Sequence, residues 1–304
     1  MSGLAARISA QAKLNLHLRV FDRDASGYHP IETIFHRIDL CDELTVEITQ
    51  KEKTLDVQGG DLGPVEKNLA WRAAEIYSAH NQWPKGFRIS LTKRIPAGAG
   101  MGGGSSDAAA VLRALNSLSP DPMTPAALLK LAAKIGADVS FLASESVMAL
   151  AWGRGERMLS LSPLPRCDIL LMSPDFSVST AEAYRWLDED RARLRASRSS
   201  ADTDNSSVDS IALESISLST WQAIAMFAHN DFEEPVAARH PELREYLDRL
   251  RNSRAIFAQM TGSGSTVFAV LDSPPNYAKV PPEHRERVTT TKTSIDVVQP
   301  VRVG

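Results

Sequence analysis

The chain has 304 residues, 43% of them hydrophobic and 23% charged, with a formal net charge of -3. It is long enough for two modest domains or one large one, and it lacks the positive excess that nucleic acid as a partner would call for. Cys41 and Cys167 form neither a disulfide framework nor a metal-spaced pair, the first residues hold no long apolar core, and no apolar run could span a bilayer, so a reducing, cytoplasmic location away from membranes is expected.

In chain order, residues 4–20 predict a long strand or a strand pair, because Leu14, Leu16, Leu18 and Val20 alternate with Asn15, His17 and Arg19. Residues 21–30 read as a loop, 31–39 and 43–49 as strands, and 50–66 as turns. An amphipathic helix is expected over 68–80, with Leu69, Ala73, Ile76 and Tyr77 on one face. Residues 87–91 alternate like a strand and lead into 96–110, a glycine-rich stretch that passes into a helix ending near 117. A second helix is expected over 124–135, with Thr124 and Pro125 at its start and Gly136 at its end. A short element beginning at Asp138, a buried strand over 147–152 and a tight turn at 153–155 follow, and the domains are placed at 1–158 and 159–304. Beyond lie a strand at 168–172 and a charged helix at 180–191. Residues 194–210 have almost no large apolar groups and are expected to be mobile. Helices at 218–228 and 241–251, a strand–turn–strand over 255–271 and a final strand at 295–298 complete the reading.

The glycine stretch holds Gly98, Gly100, Gly102, Gly103 and Gly104, then Ser105, Ser106 and Asp107. Glycine loses more freedom on ordering than any other residue, so five together imply unusual backbone angles and close approach to a ligand. Strand, glycine loop and helix start aim backbone N–H groups at an anion, here a nucleotide phosphate. No lysine follows Gly104, so this is not a Walker loop; Gly98, Gly100 and Gly103 fit the dinucleotide fingerprint, but a run so dense in glycine fits many patterns. Protein-kinase motifs are absent from the sequence. A kinase of another kind still needs a base for the acceptor hydroxyl and a positive charge beside it. Lys13 and Asp138 could serve, although one could equally be a solvated strand end and the other a turn residue or helix cap. Tyr28 and His29 lie in a loop, where binding residues concentrate, or pack on Pro30. The turn Thr261-Gly262-Ser263-Gly264 is a second glycine loop or a plain hairpin.

Several pieces occur in one order: Ala12-Lys13-Leu14-Asn15-Leu16, Ser26-Gly27-Tyr28-His29, Asn68-Leu69, Lys93-Arg94-Ile95-Pro96 with the loop, Gly136-Ala137-Asp138-Val139, Gly153-Arg154-Gly155-Glu156, Asn230-Asp231-Phe232-Glu233 and Thr261 to Gly264. From residue 12 to about 270 this pattern resembles the GHMP small-molecule kinases. The resemblance implies a two-domain α+β fold, with an N-terminal left-handed βαβ domain and a C-terminal ferredoxin-like domain. It implies ATP and Mg²⁺, a monomer or weak homodimer, and no dedicated protein metal site. Gly27-Tyr28-His29 and the triple glycine point within the family to a cytidine diphosphate-linked methylerythritol, phosphorylated on its 2-hydroxyl in non-mevalonate isoprenoid synthesis. The alternatives are a homoserine or mevalonate type of acceptor, or an inactive nucleotide-binding relative; an inactive relative would usually have lost Lys13 or Asp138.

By the same resemblance Asp138 is the catalytic base and Lys13 the catalytic lysine. Pro96, Ala97, Gly98, Ala99, Gly100, Met101, Gly102, Gly103, Gly104, Ser105 and Ser106 surround the ATP phosphates, with Asn68 and Lys93 toward the adenine. Asn15 stands at the acceptor alcohol, Tyr28 and His29 clamp the cytidine, and Tyr184 with Thr180 forms its second face, joined by Gly262 and Ser263. Ser140 and Ala181 stand where the family usually has proline, and Tyr184 where it often has phenylalanine.

Overall fold

A computed structural model describes residues 3–60, 63–197, 218–252, 255–272 and 286–303. Its spine is β1 (Gly3–Val20), a single strand of 18 residues. Along its first part Ala6, Ile8 and Ala10 pack into a core shared with helices. The register with β2 (Ile31–Thr49) then shifts between Gln11 and Lys13. Past the shift the packing parity inverts: Ala12, Leu14 and Leu16 pack into a second core, with Ile169, Leu171, Phe268 and Val270. Lys13 and Asn15 are thereby left on the helix side. Irregular pairing that re-aims a side chain is a recurrent device beside active sites.

The first sheet has the order β11 (Gln299–Val303), β1, β2, β4 (Gly86–Thr92), β3 (Lys53–Gln58), with β5 (Met148–Gly153) on the first part of β2 and β6 (Arg157–Leu161) beside β5. β3 (Lys53–Gln58) and β4 (Gly86–Thr92) pair in parallel, joined through α1 (Leu69–Asn81), which makes a βαβ unit. α1, α2 (Gly103–Leu118), α3 (Pro125–Ala133) and α4 (Ala137–Ala143) form the helical layer. Asn68 caps α1 by accepting from Ala70 N–H at 2.9 Å, and Thr124 caps α3.

The second sheet combines β7 (Asp168–Met172), β8 (Ala255–Met260), β9 (Val267–Leu271) and β10 (Glu286–Thr290) in the order β10-β7-β9-β8, all antiparallel. Numbered within this sheet the order is 4-1-3-2, the ferredoxin-like arrangement. One face carries α5 (Thr180–Ser197), α7 (Glu233–Arg239) and α8 (Glu242–Arg251) over Leu170, Met172, Val267 and Ala269. The other face packs on β1. α6 (Trp221–Ala225) closes the edge of that contact.

β1 also bonds directly to the second half of the chain. Asn15 N–H donates to Thr261 Oγ1 at 3.0 Å, and Gln259 Nε2 to Asn15 O at 2.8 Å. Leu18 N–H donates to His229 O at 2.7 Å, and Asp231 N–H to Leu18 O at 3.0 Å.

Some expectations need correction. Residues 31–49 form one strand rather than two. β3 lies within the stretch read as turns; at the sheet edge its apolar alternation is limited to Leu55 and Val57, too short a run to mark a strand. No strand lies at 295–298; the chain instead forms β10 earlier and β11 (Gln299–Val303) later, and β11 pairs with β1 in the first sheet. Of the segment expected to be mobile, 194–197 continue α5, while 198–210 lie outside the described residues. Among the described residues no helix is long and apolar enough to cross a membrane.

Candidate active site

The glycine stretch bends where side chains cannot follow: Gly98, Gly100 and Gly102 have φ of 66°, 74° and 71°. Gly102 is the residue before α2, and the first bond across the turn runs from Ser106 N–H to Gly102 O at 2.8 Å. The N–H groups of Gly103, Gly104 and Ser105 precede that bond, so they have no intrahelical acceptor. These three residues line a cavity of about 540 Å³, together with Pro96, Ala97, Gly98, Ala99, Gly100 and Gly102. Three convergent N–H groups at the positive end of a sixteen-residue helix suit a phosphate. Met101 and Ser106 turn inward instead. The Met101 side chain is buried in the inter-sheet core, and Ser106 Oγ donates to Gln11 O at 2.6 Å. A side chain at Gly103 would press on Ile95 at 3.0 Å, whereas one at Gly104 would meet only Leu69 Cδ1 at 3.6 Å.

Lys13 rises from β1 into the floor of this cavity. Its ammonium donates to Asn15 Oδ1 at 2.6 Å and to Gly100 O at 2.9 Å, and lies 3.6 Å from Asp138 Oδ2. Burial pushes the Lys13 ammonium below its ordinary pKa, against the pull of Asp138. Asp138 stands in the first turn of α4 with its side chain 31% exposed, so the lysine is enclosed and the carboxylate faces the opening. Asn15 is fixed from three sides, since its Nδ2 also donates to Thr33 Oγ1 at 2.8 Å. A Cβ at Gly102 would reach within 3.2 Å of Lys13 Cε and 3.5 Å of Asp138 Oδ2. The glycine loop therefore lies directly over the Lys13–Asp138 pair.

The second glycine turn locks onto the first. A Cβ on Gly100 would stand 2.1 Å from Thr261 O, and one on Gly262 would stand 2.6 Å from Gly100 O. Gly262 and Ser263 line the same cavity, and Asn230 Nδ2 donates to Met260 O and Gly262 O, holding that turn in place.

Lys93 and Asn68 also line the cavity. The Lys93 ammonium, however, is buried between Asp42 and Asp107, with Asp107 Oδ2 at 2.7 Å. Asp42 is fully used, because its other oxygen accepts from Arg94 and Ile95 N–H. Asp107 Oδ1 is buried without a partner. Burial pushes the Asp107 carboxyl from the usual 3.8 up to about 7, Lys93 opposing and Asp42 reinforcing the rise. A raised carboxyl pKa makes the native state hold a proton that the unfolded chain has released, so this site contributes less stability as pH rises between those two values. The stability of the wild-type protein relative to Asp107→Asn should accordingly fall from pH 4 to pH 7.5. Urea unfolding at a series of pH values checks this, and parallel curves for the two proteins would refute it.

At the other end, Tyr184, Thr180, Val178 and Phe232 line the cavity. Thr180 Oγ1 lies 3.3 Å from Ser263 Oγ, which ties α5 to the second glycine turn. His29 stacks on Tyr184 with ring centroids 5.2 Å apart, and Tyr184 meets Phe232 edge-on at 4.9 Å. Burial raises the Tyr184 hydroxyl pKa. Tyr28 is 39% exposed, and the Arg154 guanidinium lies 4.5 Å from the centre of its ring. Residues that the motifs did not single out complete this end: Asp188, which takes both His29 and Arg23, and Thr33 and Gln259 behind Asn15. Asp188 is four residues after Tyr184, a spacing that places both on one face of a helix and could have exposed it.

Comparison with known proteins gives the family. The profile described as "GHMP kinases N terminal domain" matches residues 68–149, and "GHMP kinases C terminal" matches 212–284. A 4-diphosphocytidyl-2-C-methyl-D-erythritol kinase of Pelotomaculum thermopropionicum is 36% identical, over 93% of this chain and 96% of its own. One of Desulfotalea psychrophila is 38% identical, over 86% of this chain and 84% of its own. A crystal structure of 4-(cytidine 5'-diphospho)-2C-methyl-D-erythritol kinase superposes with a TM-score of 0.71 at 34% identity, covering 94% of this chain and 98% of its own. The chain belongs to the GHMP kinases, within the family of the 4-diphosphocytidyl-2-C-methyl-D-erythritol kinases.

Proposed function

We propose that this chain transfers the γ-phosphoryl group of ATP to the 2-hydroxyl of 4-diphosphocytidyl-2-C-methyl-D-erythritol, a step of non-mevalonate isoprenoid synthesis. The observation that carries the reading is the Lys13–Asp138 pair beneath a glycine phosphate loop, in a chain similar to kinases of that name over nearly its whole length. The acceptor hydroxyl binds beside Asp138 and Asn15. Asp138 takes its proton as the oxygen bonds to phosphorus, and ADP leaves with the bridging oxygen. Lys13 stabilises charge on the acceptor and the transferring phosphoryl. The N–H groups of Gly103, Gly104 and Ser105 hold the phosphates.

Mg²⁺ neutralises phosphate charge when bound. The hydroxyl of Ser105, which lines the cavity beside the glycine loop, would help to hold it. Residues 1–158 would carry the loop, Lys13 and Asp138, and 159–304 most of the second domain.

A product assay with ATP, Mg²⁺ and the cytidyl substrate tests the function; no phosphorylated product from folded protein would refute it. The cytidine base would stack on the face of Tyr28 that Arg154 leaves open. Tyr28→Ala should weaken the cytidyl substrate by about 1–3 kcal/mol, the scale of base–aromatic stacking, and leave ATP nearly unaffected. Steady-state KM values for each substrate check this, and an equal loss for both would mark the tyrosine as structural.

A further inference from the structure

Arg37 is only 1% exposed, and it stands in β2 directly opposite Lys13 of β1 in the strand register. The two cations leave the sheet toward the helices, and each meets a different end of α4. Lys13 lies 3.6 Å from Asp138 in the first turn. The Arg37 guanidinium takes the carbonyls at the other end: Nη2 donates to Phe141 O at 2.9 Å, Leu142 O at 3.1 Å and Ser144 O at 3.0 Å, and Nε donates to Ser146 O at 2.8 Å. Nη1 reaches Gln11 Oε1 at 3.4 Å. The last carbonyls of a helix have no intrahelical donor, and a cation there also meets the negative end of the helix dipole. Two aromatic rings join the strand to the helix. Phe35 of β2 stacks on Phe141 of α4 at 5.0 Å, with Lys13 over the first ring at 5.5 Å and Arg37 over the second at 5.0 Å. The hydrogen-bond partners of the guanidinium are all neutral oxygens, which makes it a costly group to bury. Burial and the nearby Arg113 lower its pKa from 12.5 to about 9, against the pull of Asp296, so it stays a cation at neutral pH.

We propose that Arg37 is a positioning residue for Asp138: by holding the C-terminal carbonyls of α4, it fixes the helix whose first turn carries that carboxylate. The proposal rests on the reading of Asp138 as the base for the acceptor hydroxyl. α4 has seven residues, about two turns, so a tilt or shift at its last carbonyls is carried to its first turn. The N-terminal end has no side-chain cap of its own, since Gly136 precedes it, and the anchor at the far end matters more for that. Lys13 and Arg37 stand at one level on neighbouring strands. The separation of ammonium and carboxylate is therefore set by the same two strands that hold the end of the helix. Arg37 does not line the cavity and acts only through the α4 backbone. Proton transfer depends on such placement, and a displacement of about 1 Å can cost about 10²-fold in rate.

The experiment measures kcat and both KM values, with ATP and the cytidyl substrate, for Arg37→Met, Arg37→Lys, Asp138→Asn and the variant carrying both Arg37→Met and Asp138→Asn. Each rate is corrected for the folded fraction, taken from urea unfolding. Arg37→Met keeps an unbranched apolar body but donates nothing, and it should lower kcat by about 10–10²-fold with both KM values within about twofold of wild type. Arg37→Lys, which keeps the charge at the helix end with fewer donors, should recover part of that loss. In the Asp138→Asn background, Arg37→Met should cost no more than about twofold, because no carboxylate is left to misplace. A folded Arg37→Met with wild-type kcat would overturn the proposal. So would an equal loss in the two backgrounds, since damage to the fold does not depend on Asp138. If Arg37→Met does not fold, Arg37→Lys carries the same cycle against Asp138→Asn, and failure of both to fold would mark Arg37 as structural only. A wild-type kcat in Asp138→Asn would instead remove the base, and the role of Arg37 with it.

Discussion

Asp138→Asn should lower kcat by about 10²–10⁴-fold, the scale of a lost general base, with both substrates still bound. The asparagine keeps the shape of the carboxylate in the first turn of α4, and the partly exposed position tolerates it. What disappears is the proton acceptor and the negative partner of Lys13. Lys13→Ala should lose a similar factor. The ammonium also holds Asn15 Oδ1 and Gly100 O, so its removal frees both the Asn15 amide and the glycine loop. The double variant should lose much less than the product of the two single losses, because residues acting as one unit are not additive. Turnover of the three variants, with binding of each substrate measured separately, decides the matter. Near wild-type kcat in Asp138→Asn would remove the base, and fully multiplicative losses would separate the two residues.

Gly100→Ala should damage stability and catalysis together. Its Cβ would stand 2.1 Å from Thr261 O and 3.0 Å from Gly264 O, and neither is the end of a flexible side chain. Overpacking of this kind costs about 1–3 kcal/mol. The left-handed backbone at φ 74° adds about 1–2 kcal/mol for a residue with a side chain. Relief requires the two glycine turns to separate, which moves the carbonyl that Lys13 donates to. Gly98→Ala is the control: its φ is similar at 66°, but its Cβ would meet only Ser177 Cβ at 3.6 Å. Urea unfolding and kcat for both variants test the difference. Equal effects would mean that backbone strain alone matters and that the contact between the turns does not.

Much of this site could be read before the fold was known, because its parts announce themselves by residue type. Five glycines before an alanine-rich helix, a lysine opening an alternating run and an aspartate after Gly136 each carry a physical reason to be where they are. The missing parts have ordinary local signatures. Asp188 sits in a helix crowded with Arg, Glu and Asp, where one more carboxylate looks like solvated surface. Asp42 looks like a turn residue until Lys93 and Asp107 close around it. The inverted packing parity of β1, which sends Lys13 to the helix side, depends on pairing with β2 and leaves no mark in the alternation itself. Strands that pair at edges were the hardest to see. β3 offers only Leu55 and Val57 as an alternating pair, and β6 is largely exposed, so neither shows the longer apolar alternation that identifies a strand with one buried face. β11 takes its place only because β1 offers an edge nearly three hundred residues earlier in the chain.

The bonds from β1 to the second half of the chain bear on how substrates enter. The strand that carries Lys13 and Asn15 is stitched at Asn15 and Leu18 to Thr261, Gln259, His229 and Asp231. A hinge that opened the cleft by swinging one half away from the other would have to tear those bonds and carry Lys13 away from Asp138. Clam-shell closure is therefore closed to this enzyme as a route to catalysis. In solution scattering, the radius of gyration should then be the same with the cleft empty and with both substrates bound.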